Sequence, residues 1–140
     1  RDDGEQIIMV TVLLQTESHY PVDRKKIKAA VVTYLQKRIE SDVEVSITIV
    51  GDRQIHELNK SYRKKDYPTD VLSFPHNDPS QPNPVPFVDP PDNLIRLGDI
   101  VISYPQAREE AMEENKLVDD QIIFLILHGI DHLLGIHHPE

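Results

Sequence analysis

The chain has 140 residues, no cysteine and a formal net charge of −9, the size of one domain over residues 1–140 with one core and no disulfide framework. The negative balance argues against gripping nucleic acid by bulk electrostatics, because long-range attraction to phosphate needs positive potential, and it leaves only a local basic site open. The longest apolar runs, Ile7 to Leu14 and Ile122 to Leu127, fall far short of the ~20 residues of a membrane span, so no membrane segment or signal peptide is expected, and the absence of cysteine fits a cytoplasmic setting.

Residues 7–14, IIMVTVLL, are short, rich in β-branched side chains and bounded by polar sequence, which predicts a buried strand. Residues 23–39 switch to helical period, with Ile27, Val31, Tyr34 and Leu35 as the apolar stripe and Asp23 placed to cap it. Val43, Val45, Ile47 and Ile49 alternate with Glu44, Ser46, Thr48 and Val50, the pattern of a strand with one face on the core. Gly51 ends it, and Asp52 is placed to cap a helix to about Tyr62, with Ile55, Leu58 and Tyr62 inward.

A charged turn follows, in which Pro68 biases Tyr67 away from helix, and then a strand over about 70–74. The densest positive cluster is Lys60, Arg63, Lys64 and Lys65, while acid gathers at Glu109, Glu110, Glu113, Glu114, Asp119 and Asp120. Such clusters are usually solvated helix faces. Between Pro75 and Pro91 seven of seventeen residues are proline, at 75, 79, 82, 84, 86, 90 and 91. That composition holds neither a central strand nor a helix and predicts a Pro-rich surface loop at 75–91.

Residues 96–103, RLGDIVIS, resume the strand pattern, and Ser103 with Gln106 forms a capping-box signature for a helix through about Asn115. The last helix, about 118–134, is apolar nearly all round from Ile122 to Leu127, which predicts a position in the middle of the core.

That helix carries His128 and His132. Positions four apart stack on one face, so the two ring nitrogens can converge on one ion. Gly135 allows a left-handed turn that ends the helix and lets His138 return as a third ligand. Three neutral imidazoles suit tetrahedral Zn²⁺ with one position open, although an all-nitrogen site also takes nickel, cobalt or iron. Two histidines alone on a helix are as often plain polar surface. His137 competes with His138 for the third place. Asp131 lies about 60° from His128 and about 100° from His132 around the helix, so it flanks the ligand face. It orients a ligand imidazole, assists a water as base, or is an exposed acid. Gly129 stands where a metalloprotease helix carries its glutamate, which counts against peptidase activity.

Three blocks together carry a family resemblance: Glu57 through Pro75 (ELNKSYRKKDYPTDVLSFP), Leu97 through Ser103 (LGDIVIS), and the histidine stretch His128 through His138 (HGIDHLLGIHH). The chain resembles the YbeY family of rRNA maturation factors. The resemblance implies an α+β fold, a small mixed sheet of about four strands packed with helices, and a metal site on a central helix. It also implies one Zn²⁺ per chain on His128, His132 and His138, which decides for His138 over His137. Asp131 and His137 depart from the family pattern, which usually has an uncharged residue and an aspartate there.

The implied activity is that of a zinc-dependent, single-strand-specific endoribonuclease in rRNA maturation, at the 3′ end of small-subunit rRNA, and in ribosome quality control. The implied partners are rRNA, the ribosomal small subunit, and ribosomal or assembly-factor proteins. Arg63 matches the family's functional basic residue, and a guanidinium beside a metal can hold two phosphate oxygens and stabilise developing charge. The alternative for Arg63 is a surface ion pair to Asp66 or Asp70. With Asp131 it completes the candidate catalytic set, although no general base is evident. The competing function is a ribosome-assembly binding module with a structural zinc and no nuclease activity.

Overall fold

The computed structural model describes residues 8–76 and 94–135. Four strands and four helices follow one another along it: β1 (Val10–Thr16), α1 (Arg24–Gln36), β2 (Val43–Val50), α2 (Asp52–Arg63), β3 (Val71–Pro75), β4 (Ile95–Ser103), α3 (Tyr104–Glu114) and α4 (Val118–Leu133). The sheet order is β1-β2-β4-β3. β1 and β4 both run parallel to the central β2, and β3 returns antiparallel to β4. The fold is therefore α+β with a mixed four-stranded sheet, as expected.

The period-two alternation of β2 decides which face meets which helix. Val43, Val45, Ile47 and Ile49 join Ile100 and Ile102 of β4, Ile27, Val31 and Leu35 of α1, and Ile122, Leu125, Ile126 and Ile130 of α4 in one core. The neighbouring residues Val50 and Val101 point the other way and pack with Leu72 and with Ile55 of α2. So α1 and α4 cover one face of the sheet and α2 the other. Truncation in the larger cluster would combine lost burial with a cavity.

Asp23 caps α1 by accepting from the Lys26 amide, and Ser103 caps α3 by accepting from the Gln106 amide, both as read from the sequence. The reply expected of a capping box is missing: the Ser103 amide donates to the Asp70 carbonyl at 2.9 Å, and the Gln106 side chain donates to Asp52 at 3.0 Å. Asp52 itself is not the cap. Gly51 takes that place, and the Asp52 carboxylate, one residue inside α2, also accepts from the Ser103 hydroxyl at 2.8 Å. A carboxylate in a first helical turn suits the helix dipole, and here it ties α2 to the start of α3.

Three further expectations change. The first strand begins at Val10 and lies at the sheet edge, where among its residues Leu14 alone is buried; an edge strand has one neighbour, and Leu13 stays half exposed. Tyr62 is exposed and stacks edge-on against Phe74, while Asn59 takes the inward place on α2 and donates to the Tyr67 carbonyl at 2.8 Å. The last helix is not surrounded by core: Phe124 is exposed, because sheet and neighbouring helices cover one side of α4. The Pro-rich stretch from Asn77 onward lies outside the described residues. No helix among the described residues is long and apolar enough to cross a membrane.

Candidate metal centre

α4 is seated on the sheet by its smallest residue. A Cβ added at Gly129 would come within 3.2 Å of two Ile100 side-chain atoms, so the missing side chain lets the helix lie close against β4 beside His128. Ile126 and Ile130, both fully buried, anchor the turns on either side. This fixes the axial position and the rotation of the two turns that carry His128 and His132.

The histidine rings lie together on the outer side of those turns, with centroids 4.7 Å apart and planes inclined at 51°. His128 is half-buried and His132 exposed. Two imidazoles this close and inclined can direct nitrogens to one ion at ~2.0–2.1 Å from each, so the pair fits two positions of a metal site open to solvent. Among the described residues no group of three or more His, Cys, Asp or Glu side chains gathers to hold a metal. His138 and its competitor His137 lie outside the described residues. Gly135 is inside them and has φ +82°, with its amide donating to the His132 carbonyl at 3.1 Å, the left-handed helix end that the sequence implied.

Asp131 is not an exposed acid. Only 5% of it is accessible, and it accepts a hydrogen bond from the Tyr34 hydroxyl of α1. The flanking position read from the helical wheel is turned inward, toward α1, so the carboxylate joins two helices beside the histidine pair. The tie extends outward, because the Arg38 guanidinium lies 3.4 Å from the centroid of the Tyr34 ring. Burial first, and then the Asp131 carboxylate, hold the Tyr34 hydroxyl above its ordinary pKa, so it stays a proton donor. The apolar stripe of α1 pointed to Tyr34 as packing, and its period carries no signal for the hydroxyl's partner.

Arg63 ends α2 and is exposed, as are Lys60, Lys64 and Lys65. The ion pairs considered for it are not formed. Asp66 instead meets His56 at 2.8 Å and Lys60 at 3.9 Å, contacts that hold its carboxyl below the usual range, His56 contributing most. Asp70 turns its carboxyl to Glu110 of α3, and its carbonyl accepts from the Ser103 amide at 2.9 Å. α2 packs against β4 and α3, and α4 packs against the same two elements. No hydrogen bond or ion pair joins Arg63 to either histidine among the described residues. The structure thus brings together His128 and His132, sets Asp131 behind them, and leaves Arg63 exposed at the end of α2, a helix that packs on the other face of the sheet.

Glu110 and Asp70 form an acidic pair that no local sequence pattern signals. Gln121 of α4, buried, donates to Glu110 of α3 at 2.7 Å. Glu110 is pushed up to about 7, first by burial and then by the adjoining Asp70 carboxyl. The folded protein therefore keeps a proton on Glu110 between the unfolded carboxylate value near 4.5 and about 7. In that window the folded state binds more protons, so this group's contribution to stability falls as pH rises and levels off above about 7. Glu110→Gln keeps the acceptor for Gln121 without the charge. It is expected to raise the melting temperature at pH 8 and to lose that advantage at pH 4.5, as thermal unfolding at the two pH values will show.

The sequence pattern of the family described as Endoribonuclease YbeY matches residues 13–140. The chain is 40% identical over 116 residues to the Endoribonuclease YbeY of Dehalococcoides mccartyi, covering 81% of this chain and 72% of that protein. With the Endoribonuclease YbeY of Roseiflexus castenholzii it shares 38% identity over 140 residues, 99% of this chain and 84% of the relative. A Thermotoga maritima protein solved in solution superposes with a TM-score of 0.59 at 26% identity, over 92% of this chain and 75% of that one.

Proposed function

This chain belongs to the endoribonuclease YbeY family and is accordingly a hydrolase of RNA phosphodiester bonds, and we propose that it cuts single-stranded rRNA precursors with the help of one zinc ion held by His128, His132 and His138. The observation that carries the metal reading is the inclined imidazole pair, 4.7 Å apart on two rigid turns of α4. A bound zinc ion would supply Lewis-acid polarisation of the phosphodiester and acidification of water.

The chain's own residues do the rest. The packing of Gly129 on Ile100 sets the height of the histidines above the sheet. The Tyr34 hydroxyl holds Asp131 and so fixes the rotation of α4 beside them. Arg63, on a long exposed side chain, is suited to take two phosphate oxygens of the RNA and to stabilise charge that builds during cleavage. The small-subunit rRNA 3′ end is the proposed target, and ribosomal or assembly-factor proteins in the cytoplasm are the proposed company. The assembly-module reading is not favoured, since the relatives are named as endoribonucleases.

The test is cleavage of a single-stranded rRNA precursor by wild type and Arg63→Ala, with metal content assayed in both. Arg63→Ala is expected to keep its metal and lose on the order of 10²-fold in cleavage, the usual cost of deleting a charge-stabilising donor. Equal cleavage by both proteins removes Arg63 from the reaction. If wild type holds no zinc and cuts no RNA, the whole proposal falls.

A further inference from the structure

Among the exposed aromatic side chains, Phe124 is aligned with the candidate centre. It stands one helical turn before His128 on α4, and 57% of it is accessible. Its ring centroid is 6.3 Å from that of His128, with the planes only 19° apart. Positions 124, 128 and 132 are spaced four residues apart, so phenyl and two imidazoles form one continuous ridge along the helix. The core does not need this ring, because Ile122, Leu125 and Ile126 already fill the buried side of the same turns. Beside the ridge, the Lys116 ammonium lies 5.1 Å from the phenyl centroid, with Glu114 as its ion-pair partner at 4.0 Å.

We propose that Phe124 is a base-stacking subsite for single-stranded RNA, receiving the nucleobase next to the phosphodiester held at the histidines. The proposal rests on the endoribonuclease reading and names a recognition element within it. A net charge of −9 gives the protein little long-range pull on RNA, so affinity has to come from local contacts. An exposed phenyl face is such a contact, and it accepts any base because every base has a π face. Lys116 provides a cation where the neighbouring phosphate would pass. A second copy of the chain is the other occupant, and the experiment separates the two.

The experiment compares wild type, Phe124→Ala and Phe124→Trp in steady-state cleavage of a fluorescently labelled single-stranded oligoribonucleotide. Because the chain has no tryptophan, the Phe124→Trp protein also carries a single reporter whose emission is followed as oligoadenylate is added. Phe124→Ala is expected to raise KM about tenfold with kcat nearly unchanged, Phe124→Trp to restore KM, and oligoadenylate to quench the reporter. The same ribose-phosphate chain without bases should quench weakly. The subsite is overturned if wild type cuts and Phe124→Ala keeps the same KM, or if Phe124→Ala changes only the sedimentation mass, which would mark a contact between copies. Wild type that neither binds nor cuts RNA removes the endoribonuclease reading itself, and the subsite with it.

Discussion

His132→Ala should abolish stable metal binding and lower RNA cleavage by on the order of 10³-fold or more, with the fold intact. The position is well suited to such a test because His132 is exposed, so removing its ring opens no cavity in the core. His128 is a less direct probe: it is half-buried and faces Phe124 as well as its partner histidine. With His132 gone, His128 and His138 are all that remain of the proposed ligand set, and two nitrogens hold an ion too weakly to retain it against dialysis. The expected signature is a protein with wild-type far-ultraviolet circular dichroism, little zinc by elemental analysis, and almost no cutting. Retained cutting at trace metal would place the reaction elsewhere on the molecule. Retained metal without cutting would mean that His132 serves the reaction and is not a ligand.

Gly98→Ala is expected to cost about 3 kcal/mol or more and to lower the melting temperature by roughly 10 °C. Gly98 has φ +138°, a conformation that an L side chain rarely adopts. A Cβ there would come within 2.1 Å of the Phe74 carbonyl oxygen and 2.9 Å of the His76 amide nitrogen, both of them backbone atoms that cannot rotate away. The cause is local register. β2 pairs Glu44 with Arg96 but Val45 with Gly98, so β4 spends an extra residue at this point, and the bulge brings Gly98 against β3 at Pro75. The strain would loosen β3, the strand that follows the Arg63 turn, so cleavage should fall along with stability. Thermal unfolding checks the first effect. An unchanged melting temperature would show that the bulge relaxes to admit a methyl group.

Much of this architecture follows from local pattern. The alternation of Val43, Val45, Ile47 and Ile49 named the buried face of β2, and the spacing of Ile27, Val31 and Leu35 named that of α1, because a period of two or of 3.6 reports on a single element. The caps at Asp23 and Ser103 were legible for the same reason, since each bonds an amide three residues away. So was the shared face of His128 and His132, which four residues of helix impose whatever surrounds them.

Long-range partners were not legible. Asp131 and Tyr34 are 97 residues apart, and only the packing of α4 on α1 turns that carboxylate from a surface acid into a buried tie. Asp52 reads as a cap but is drawn inward by Ser103 and Gln106, 51 and 54 residues on. The apolar run around Phe124 reads as core on every side, yet coverage is a property of neighbours, and the neighbours of α4 cover one side. Sequence by itself determined which faces were apolar and which side chains shared a helix turn, since both are set within a few residues of chain. The tertiary structure decided what each face met, because burial and distant hydrogen bonds exist only once separate elements pack together.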